Sequence, residues 1–179
     1  MNGATRDWRV DLVEAYPRLF QRPAGGSAAS CYPECGEGWR DLLERACGRI
    51  QAAVAADGRR LTITQIKEKF GTLRFYWEGD LSHDAEAKVE EAIDLAEARS
   101  ACTCEVCGEE GWLHRFGAWL MTRCSTHAQG SPVKIKAGFH GVLVVQRVVG
   151  GRSRVSCRRY DRTADAFVDV APASLGIEE

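Results

Sequence analysis

Two pairs of metal-binding side chains lie in the middle of the 179-residue sequence, and both pairs have the same internal spacing. Cys104 and Cys107 form the first pair, and Cys124 and His127 form the second. Two ligands at this spacing can reach one ion from a single turn, and the 16 residues from 108 to 123 can form a hairpin that joins the pairs. Three thiolates and one imidazole in a closed tetrahedron are typical of a structural zinc site. The sequence therefore predicts one structural Zn²⁺ per chain.

The main alternative ligand is Cys102, which lies two residues before Cys104. Only one residue separates Cys102 from Cys104, so it is less suited than Cys107 to share a single turn with Cys104. Cys157 lies far from both pairs along the chain. Unligated thiols in a reducing compartment are the alternative for the whole set. Because the two-residue spacing occurs twice, we favour metal binding over free thiols.

The remaining cysteines could form a second metal or redox site. Cys31 and Cys35 are separated by three residues, a looser spacing, and Cys47 falls within a predicted helix. A small buried thiol packs well in a helix. A nucleophilic thiol needs a base or a positive environment, and near Cys47 the sequence offers only Arg45 and Arg49. We therefore favour packing for these three thiols and leave a second site open.

No catalytic constellation emerges from the histidines. A His-Asn-His nuclease needs a histidine base and a second metal. However, the only asparagine is Asn2, and His127 is assigned to zinc. An enzyme would need a cleft that gathers His114 or His140 with carboxylates. The sequence therefore favours a non-catalytic protein without excluding an enzyme.

Hydrophobic periodicity predicts the elements that precede these ligands. A short helix should run from Trp8 to Tyr16 and end at Pro17, and a longer amphipathic helix should end at Asp57-Gly58. The apolar stripe of the longer helix is Trp39, Leu42, Leu43, Ala46, Ile50, Ala53 and Val54. A further helix should begin after the N-cap residue Ser82. Its stripe is Ala85, Val89, Ala92, Ile93 and Ala96, with acidic residues that we interpret as a solvated face.

A β-hairpin is predicted from Leu61 to Trp77, with Phe70-Gly71 near the turn. Its aromatic and basic residues resemble the mixture found on nucleic-acid-binding sheets. The simpler interpretation places Leu73, Phe75 and Trp77 in the core, and we favour it. The lysines and Arg74 would then face solvent.

The C-terminal third of the sequence predicts a separate β unit. Residues 141–149 form the strongest strand signal in the chain, and Gly150-Gly151 offers a turn into a strand at Arg152–Tyr160. Phe167–Val170 is predicted to add one more strand. The predicted fold class is α+β, with helices packed on a β-hairpin, a central zinc finger and a C-terminal antiparallel unit. The predicted divisions are 1–101 for the core, 102–130 for the finger and 131–179 for the terminal unit.

Several segments resemble those of a group of small proteins from bacteria and their phages. The segments are Gly36-Glu37-Gly38-Trp39, KEKFGTLRFY at 67–76, TCEVCG at 103–108 and Cys124-x-x-His127. The resemblance covers roughly residues 7 to 130, and it implies the zinc ligands and an α+β core but no established activity. The tail from Ser131 is an addition to the pattern. The finger also resembles a treble clef, although residues 128–132 leave little room for the usual helix, and a ribbon-like variant stays open.

The net charge of −1 gives no strong electrostatic argument for nucleic acid. Acidic residues dominate from Asp80 to Glu110, and basic residues dominate after Gly111, so one acidic and one basic face are expected. The candidate contact residues on the terminal unit are Arg147, Arg152, Arg154, Arg158 and Arg159. These guanidinium groups suit phosphates or the carboxylates of a protein partner. A solvated strand edge is the alternative.

The sequence as a whole favours a zinc-stabilised binding protein that engages a protein partner. From the resemblance, that partner could belong to a host or defence complex modulated by a phage-encoded protein. The alternative is a nucleic-acid-binding protein that uses the finger and the basic hairpin. No apolar run approaches the ~20 residues that cross a bilayer, and the start lacks a secretion signal. We therefore expect a cytoplasmic protein with no membrane contact.

Overall fold

The computed structural model describes residues 6–20, 31–149 and 152–177, with only the backbone at 147–149 and 152–154. Its α-helices are α1 (Trp8–Ala15), α2 (Pro17–Phe20), α3 (Arg40–Asp57) and α4 (His83–Ser100). Its strands are β1 (Leu61–Lys69), β2 (Thr72–Gly79), β3 (Trp112–Phe116), β4 (Trp119–Arg123), β5 (Ser131–Pro132), β6 (Val142–Val149), β7 (Arg152–Asp161) and β8 (Ala166–Val170). The described strands form three antiparallel sheets, β1-β2, β4-β3-β5 and β6-β7-β8. The predicted α+β class is confirmed.

The hydrophobic core lies between helices α3 and α4 and the β1-β2 hairpin. The predicted stripe of α3 is buried apart from Val54, which packs against the core, and the predicted stripe of α4 is buried throughout. Ser82 caps α4 as expected, because its hydroxyl accepts a hydrogen bond from the N–H of Ala85. Helical periodicity therefore predicted the buried faces of both helices correctly, and the N-cap residue predicted the start of α4.

The β1-β2 hairpin turns at Phe70 and Gly71, as predicted. Both residues have positive φ, 56° and 83°, which is the backbone that a two-residue hairpin turn of type I′ requires. Leu73 and Phe75 are buried, and Trp77 is half-buried against the core, so the predicted placement of these three residues is confirmed. Arg74, which was expected to face solvent, is partly buried and lies 3.7 Å from Glu97. The side chain of Tyr76 on the opposite face is exposed.

The finger segment consists of a turn after α4, the β3-β4 hairpin and a second turn at residues 124–127. The chain then runs through residues 128–130, with no helix, into β5. Residue Ser131 of β5 pairs with Arg115 of β3, and Pro132 pairs with His114. The predicted boundary at residue 130 therefore falls just before a strand that joins the finger sheet.

The C-terminal sheet packs against helices α3 and α4 through ion pairs. Arg158 of β7 contacts Glu91 and, at 3.0 Å, Asp94 on α4. Arg49 of α3 lies 2.7 Å from Asp165 in the turn between β7 and β8. The interpretation of the acidic residues of α4 as a solvated face is therefore wrong for part of the helix.

In the described part of the chain, no helix has the length and apolarity needed to cross a membrane.

Candidate metal centre

The four predicted ligand residues come together in one cluster. The ligand atoms of Cys104, Cys107, Cys124 and His127 all lie within 4.8 Å of one another. The Sγ atoms of Cys107 and Cys124 are 3.7 Å apart, and the Nδ1 atom of His127 lies 3.2 Å from the Sγ of Cys124. The cluster joins residues from both sides of the β3-β4 hairpin, as the spacing predicted.

These separations fit a small tetrahedral cation. With zinc–sulfur bonds of ~2.3 Å, the edge of a tetrahedron between two sulfur ligands is about 3.8 Å. The distance from Cys104 Sγ to His127 Nδ1 is 3.7 Å, as is the distance between the sulfurs of Cys107 and Cys124. Three thiolates and one imidazole are the soft donor set that zinc prefers. Cys104 and Cys124 are buried and Cys107 is exposed, so the site lies at the surface of the finger.

Short backbone connections position the two ligand pairs. In the first turn, the N–H of Gly108 donates to the carbonyl of Cys104 at 2.8 Å. In the second turn, the N–H of His127 donates to the carbonyl of Cys124 at 3.1 Å. Trp112 pairs with Arg123 across the β3-β4 hairpin. The hairpin register therefore brings the end of β4, where Cys124 follows, beside the first turn.

The segment before α3 clasps the first ligand turn. The N–H of Gly38 donates to the carbonyl of Glu105, and the N–H of Gly36 donates to Oε1 of the same residue, both at 2.9 Å. The indole N–H of Trp39 donates to the carbonyl of Thr103, also at 2.9 Å. We define the clasp as residues 36–39. This motif is recognised in the sequence only through a resemblance, whereas in the structure it holds residues 103–105 by hydrogen bonds.

The position of Gly38 has no room for a side chain. A Cβ atom there would lie closer than 3.0 Å to three backbone atoms of the first ligand turn, which are Cys104 O, Cys107 N and Gly108 N. Such contacts with backbone cannot be relieved by rotating a side chain. Glycine at this position therefore allows the clasp to approach the turn that carries Cys104 and Cys107.

Hydrogen bonds and neighbouring sulfurs shift the pKa values of two ligands in opposite directions. Burial raises the pKa of Cys124, but hydrogen bonds from His127, Cys107 and the backbone of Thr126 outweigh burial and lower it to about 6. The backbone N–H of Glu109 lowers the pKa of Cys107, but desolvation and the sulfurs of Cys104 and Cys124 outweigh that hydrogen bond and raise it. Crowded thiols cannot all ionise without a compensating cation. Joint ionisation of the three thiols would therefore need a cation among them.

Comparison with protein-family models, curated proteins and solved structures found no match. The centre is therefore interpreted from its own geometry. Among the described residues, these four are the group of His, Cys, Asp and Glu side chains that is arranged to hold a metal ion. His114 is buried in β3, where its Nδ1 lies 2.8 Å from the carbonyl oxygen of Trp112.

The other cysteines lie outside the centre. The Sγ of Cys102 contacts the carbonyl of Arg99 at 3.3 Å at the end of α4, and Cys157 is buried in the C-terminal sheet. Cys35 and Cys47 belong to the hydrophobic core, and burial is the main cause that raises the pKa of each thiol to about 12. The packing interpretation is confirmed for these two residues.

The structure places the candidate contact arginines in different environments. Arg158 is paired with two carboxylates of α4, and its guanidinium also lies 4.2 Å from the ring centre of Phe167. Arg159 is exposed and donates to the carbonyl of Gly138 at 2.8 Å. The side chains of the other three candidates lie outside the described part of the structure; these are Arg147, Arg152 and Arg154.

The finger carries an aromatic surface that was not predicted from the sequence. Trp112, Phe116 and Trp119 lie on one face of the β3-β4 hairpin, because Phe116 pairs with Trp119 and Trp112 is four residues before Phe116. All three side chains are exposed, and Trp119 is 73% exposed. We call these three residues the aromatic face. Their alternation along the predicted hairpin was the available signal.

Proposed function

We propose that this chain is a zinc-stabilised binding protein without catalytic activity, and that it engages a protein partner. The observation that carries the proposal is the cluster of Cys104, Cys107, Cys124 and His127 within 4.8 Å. Four protein ligands fill a tetrahedral zinc shell, so no position stays open for a substrate or for an activated water molecule. The strand that follows His127 supports a ribbon-like finger over a treble clef.

The aromatic face supports a protein as the partner. Exposed apolar surface marks interaction sites, and tryptophan is enriched among the residues that dominate binding energy. The nucleic-acid alternative needs free cations for phosphate, whereas Arg158 is already paired with two carboxylates. The net charge of −1 adds no general attraction for phosphate. The resemblance to bacterial and phage proteins adds the proposal that the partner belongs to a host or defence complex.

Elemental analysis of protein purified without a metal-binding tag tests the zinc proposal. We expect one zinc per chain and loss of that zinc in Cys107→Ser, because an exposed ligand can be replaced without disturbing the core. The matched control is Cys102→Ser, whose thiol contacts the carbonyls of Ala98 and Arg99 in α4 and should leave the metal content unchanged. Absence of zinc from the wild-type protein, or its loss in the control, would contradict the ligand assignment.

Site-specific photocrosslinking in cells tests the partner proposal. A photoreactive phenylalanine analogue in place of Trp119 should crosslink to one protein, and that association should survive high salt. The same analogue in place of Tyr32 is the control, because Tyr32 is an exposed aromatic residue outside the finger. Equal labelling from both positions would contradict a specific face. Crosslinks to nucleic acid, with binding that falls steeply as salt rises, would instead favour the nucleic-acid alternative.

A further inference from the structure

Strand β6 forms one edge of the C-terminal sheet, whose order is β6-β7-β8. In the described part of the chain, no strand pairs with its outer side. The strand has eight residues, of which one is charged, Arg147. The six aliphatic residues are Val142, Leu143, Val144, Val145, Val148 and Val149. A long apolar edge of this kind is a template for pairing with another strand.

The opposite edge of the same sheet is protected in the usual ways. Strand β8 has only five residues, contains the charged residue Asp169, and is followed closely by Pro172. Short length and a charged side chain are devices that prevent strands from pairing at an edge. β6 has only a single arginine as protection. The two edges of one sheet therefore differ in whether they can accept a further strand.

The backbone groups of Val144 point away from the sheet. The N–H of Tyr160 in β7 donates to the carbonyl of Gly141 at 2.9 Å, so Gly141 and every second residue after it face β7. The N–H of Val142 instead donates to Phe139, outside the sheet. By the same alternation, the N–H and C=O of Val144 point outward, and its side chain is 43% exposed. The middle of β6 thus offers both backbone groups to a further strand.

We propose that β6 pairs antiparallel with β6 of a second copy of this chain, which would join two three-stranded sheets into one of six strands. A two-fold axis at Val145 places Arg147 opposite Leu143 of the second copy, so the two arginines do not meet. Both strands contribute the same aliphatic side chains. The C-terminal unit is basic, but Arg158 of each copy is already paired with Glu91 and Asp94 of α4, which reduces charge repulsion between the two units.

A second copy fits this edge better than a peptide of another protein. Pairing with a second copy covers the aliphatic edge of every molecule. A different protein that is only sometimes bound would leave the edge uncovered for part of the time, and uncovered edges aggregate. Two-fold pairing also closes the assembly, because each β6 edge is used once. The proposal is independent of the zinc site, since β6 contributes none of the four ligands.

Sedimentation equilibrium over a range of concentrations tests this proposal. The wild-type protein should have twice the chain mass of 19.7 kDa. Val144→Lys should weaken the dimer by at least about tenfold, because it places a charge on the edge and a second one across the axis. The matched control is Val168→Lys on the same face of β8, where the side chain is 57% exposed; it should leave the dimer intact. Circular dichroism and zinc content report whether each variant folds.

Hydrogen exchange on the unmodified chain gives a second readout that needs no substitution. The N–H of Val144 should exchange slowly at concentrations where the dimer forms and quickly after dilution. A wild-type protein that sediments as a monomer at its highest soluble concentration would overturn the proposal. A dimer that dissociates equally in Val168→Lys, or exchange at Val144 that does not depend on concentration, would overturn it as well.

Discussion

Glu105 illustrates how single residues outside the ligand set organise the candidate metal centre. Its carbonyl oxygen accepts a hydrogen bond from the N–H of Gly38, and one carboxylate oxygen accepts a hydrogen bond from the N–H of Gly36. Its other carboxylate oxygen lies 2.8 Å from a guanidinium nitrogen of Arg123 at the end of β4. Both charged side chains are mostly buried, so removing either one would leave the other as an unpaired buried charge. One residue thus connects the clasp, the first ligand turn and the strand that leads to Cys124.

The first prediction concerns the clasp residue Gly38. Gly38→Ala places a Cβ against three backbone atoms of the ligand turn, so we expect a loss of about 1–3 kcal/mol in the free energy of unfolding, together with weaker metal retention. Denaturant unfolding and competition with a chelator measure the two effects. The control is Gly48→Ala inside α3, where a Cβ meets only the Tyr16 hydroxyl at 3.5 Å and should stabilise the helix. Equal behaviour of the two variants would contradict this role.

At this scale, the sequence predicted the ligands better than their surroundings. Only two residues separate Cys104 from Cys107, so one local turn determines the distance between their side chains, and the sequence spacing reports it directly. Gly38 lies more than sixty residues earlier, and its contact with the ligand turn depends on how α3 packs beside α4. Periodicity and spacing carry no information about such a contact.

At the scale of elements, the charge asymmetry of the sequence has a structural explanation. The acid-rich helix α4 and the arginine-rich strand β7 contact each other, and Arg158 joins them through Glu91 and Asp94. Both charged segments are evident in the sequence, from which one acidic and one basic face were expected. The elements themselves were predictable because each has its own periodicity. Their docking was not, because it depends on which charged side chains meet in the folded chain.

The second prediction concerns Asp165, which holds the β7-β8 turn against the helices. Its side chain is only 8% exposed and forms an ion pair with Arg49. It also accepts a hydrogen bond from the hydroxyl of Tyr160 at 2.7 Å. Asp165→Asn keeps an acceptor and tolerates the positive φ of 49°, but removes the charge. We expect it to lower the free energy of unfolding by about 2 kcal/mol, less than a fully buried pair because Arg49 is partly exposed. Asp80→Asn, in an exposed ion pair, is the control and should change little.

The effect of Asp165→Asn should depend on pH. Burial raises the pKa of Asp165, but the Tyr160 hydroxyl and the guanidinium groups of Arg49 and Arg99 outweigh burial and hold it below the ordinary value of 3.8. A carboxyl group whose pKa is lowered by folding stabilises the folded state at any pH above its ordinary pKa. That stabilisation is lost as the pH falls through the folded-state pKa. The difference between wild type and variant should therefore be constant near neutrality and shrink below pH ~4. A difference that grows in acid would contradict this prediction.

At the scale of the whole molecule, the finger contacts both of the other sheets. The hydroxyl of Thr122 donates to the carbonyl of Gly71 at the turn of the β1-β2 hairpin, at 2.6 Å. The guanidinium of Arg162, after β7, donates to the carbonyl of Gly108 in the first ligand turn, at 3.3 Å. Arg99 of α4 donates in turn to the carbonyl of Arg162. Order in the finger is therefore coupled to the core on one side and to the terminal sheet on the other.

The last prediction follows from this coupling and concerns metal removal. A structural zinc ion contributes on the order of 10 kcal/mol to folding a small segment, whereas α3, α4 and the β1-β2 hairpin bury an apolar core of their own. A chelator should therefore lower the Tm by at least ~10 °C and release the finger, while most of the helical circular dichroism at 25 °C remains. Hydrogen exchange should then rise first at β3, β4 and the turn after α4. Complete loss of the helical signal would mean that the core cannot fold without the metal. An unchanged Tm would mean that the four residues hold no ion, because a ligand that binds only the folded state must stabilise it.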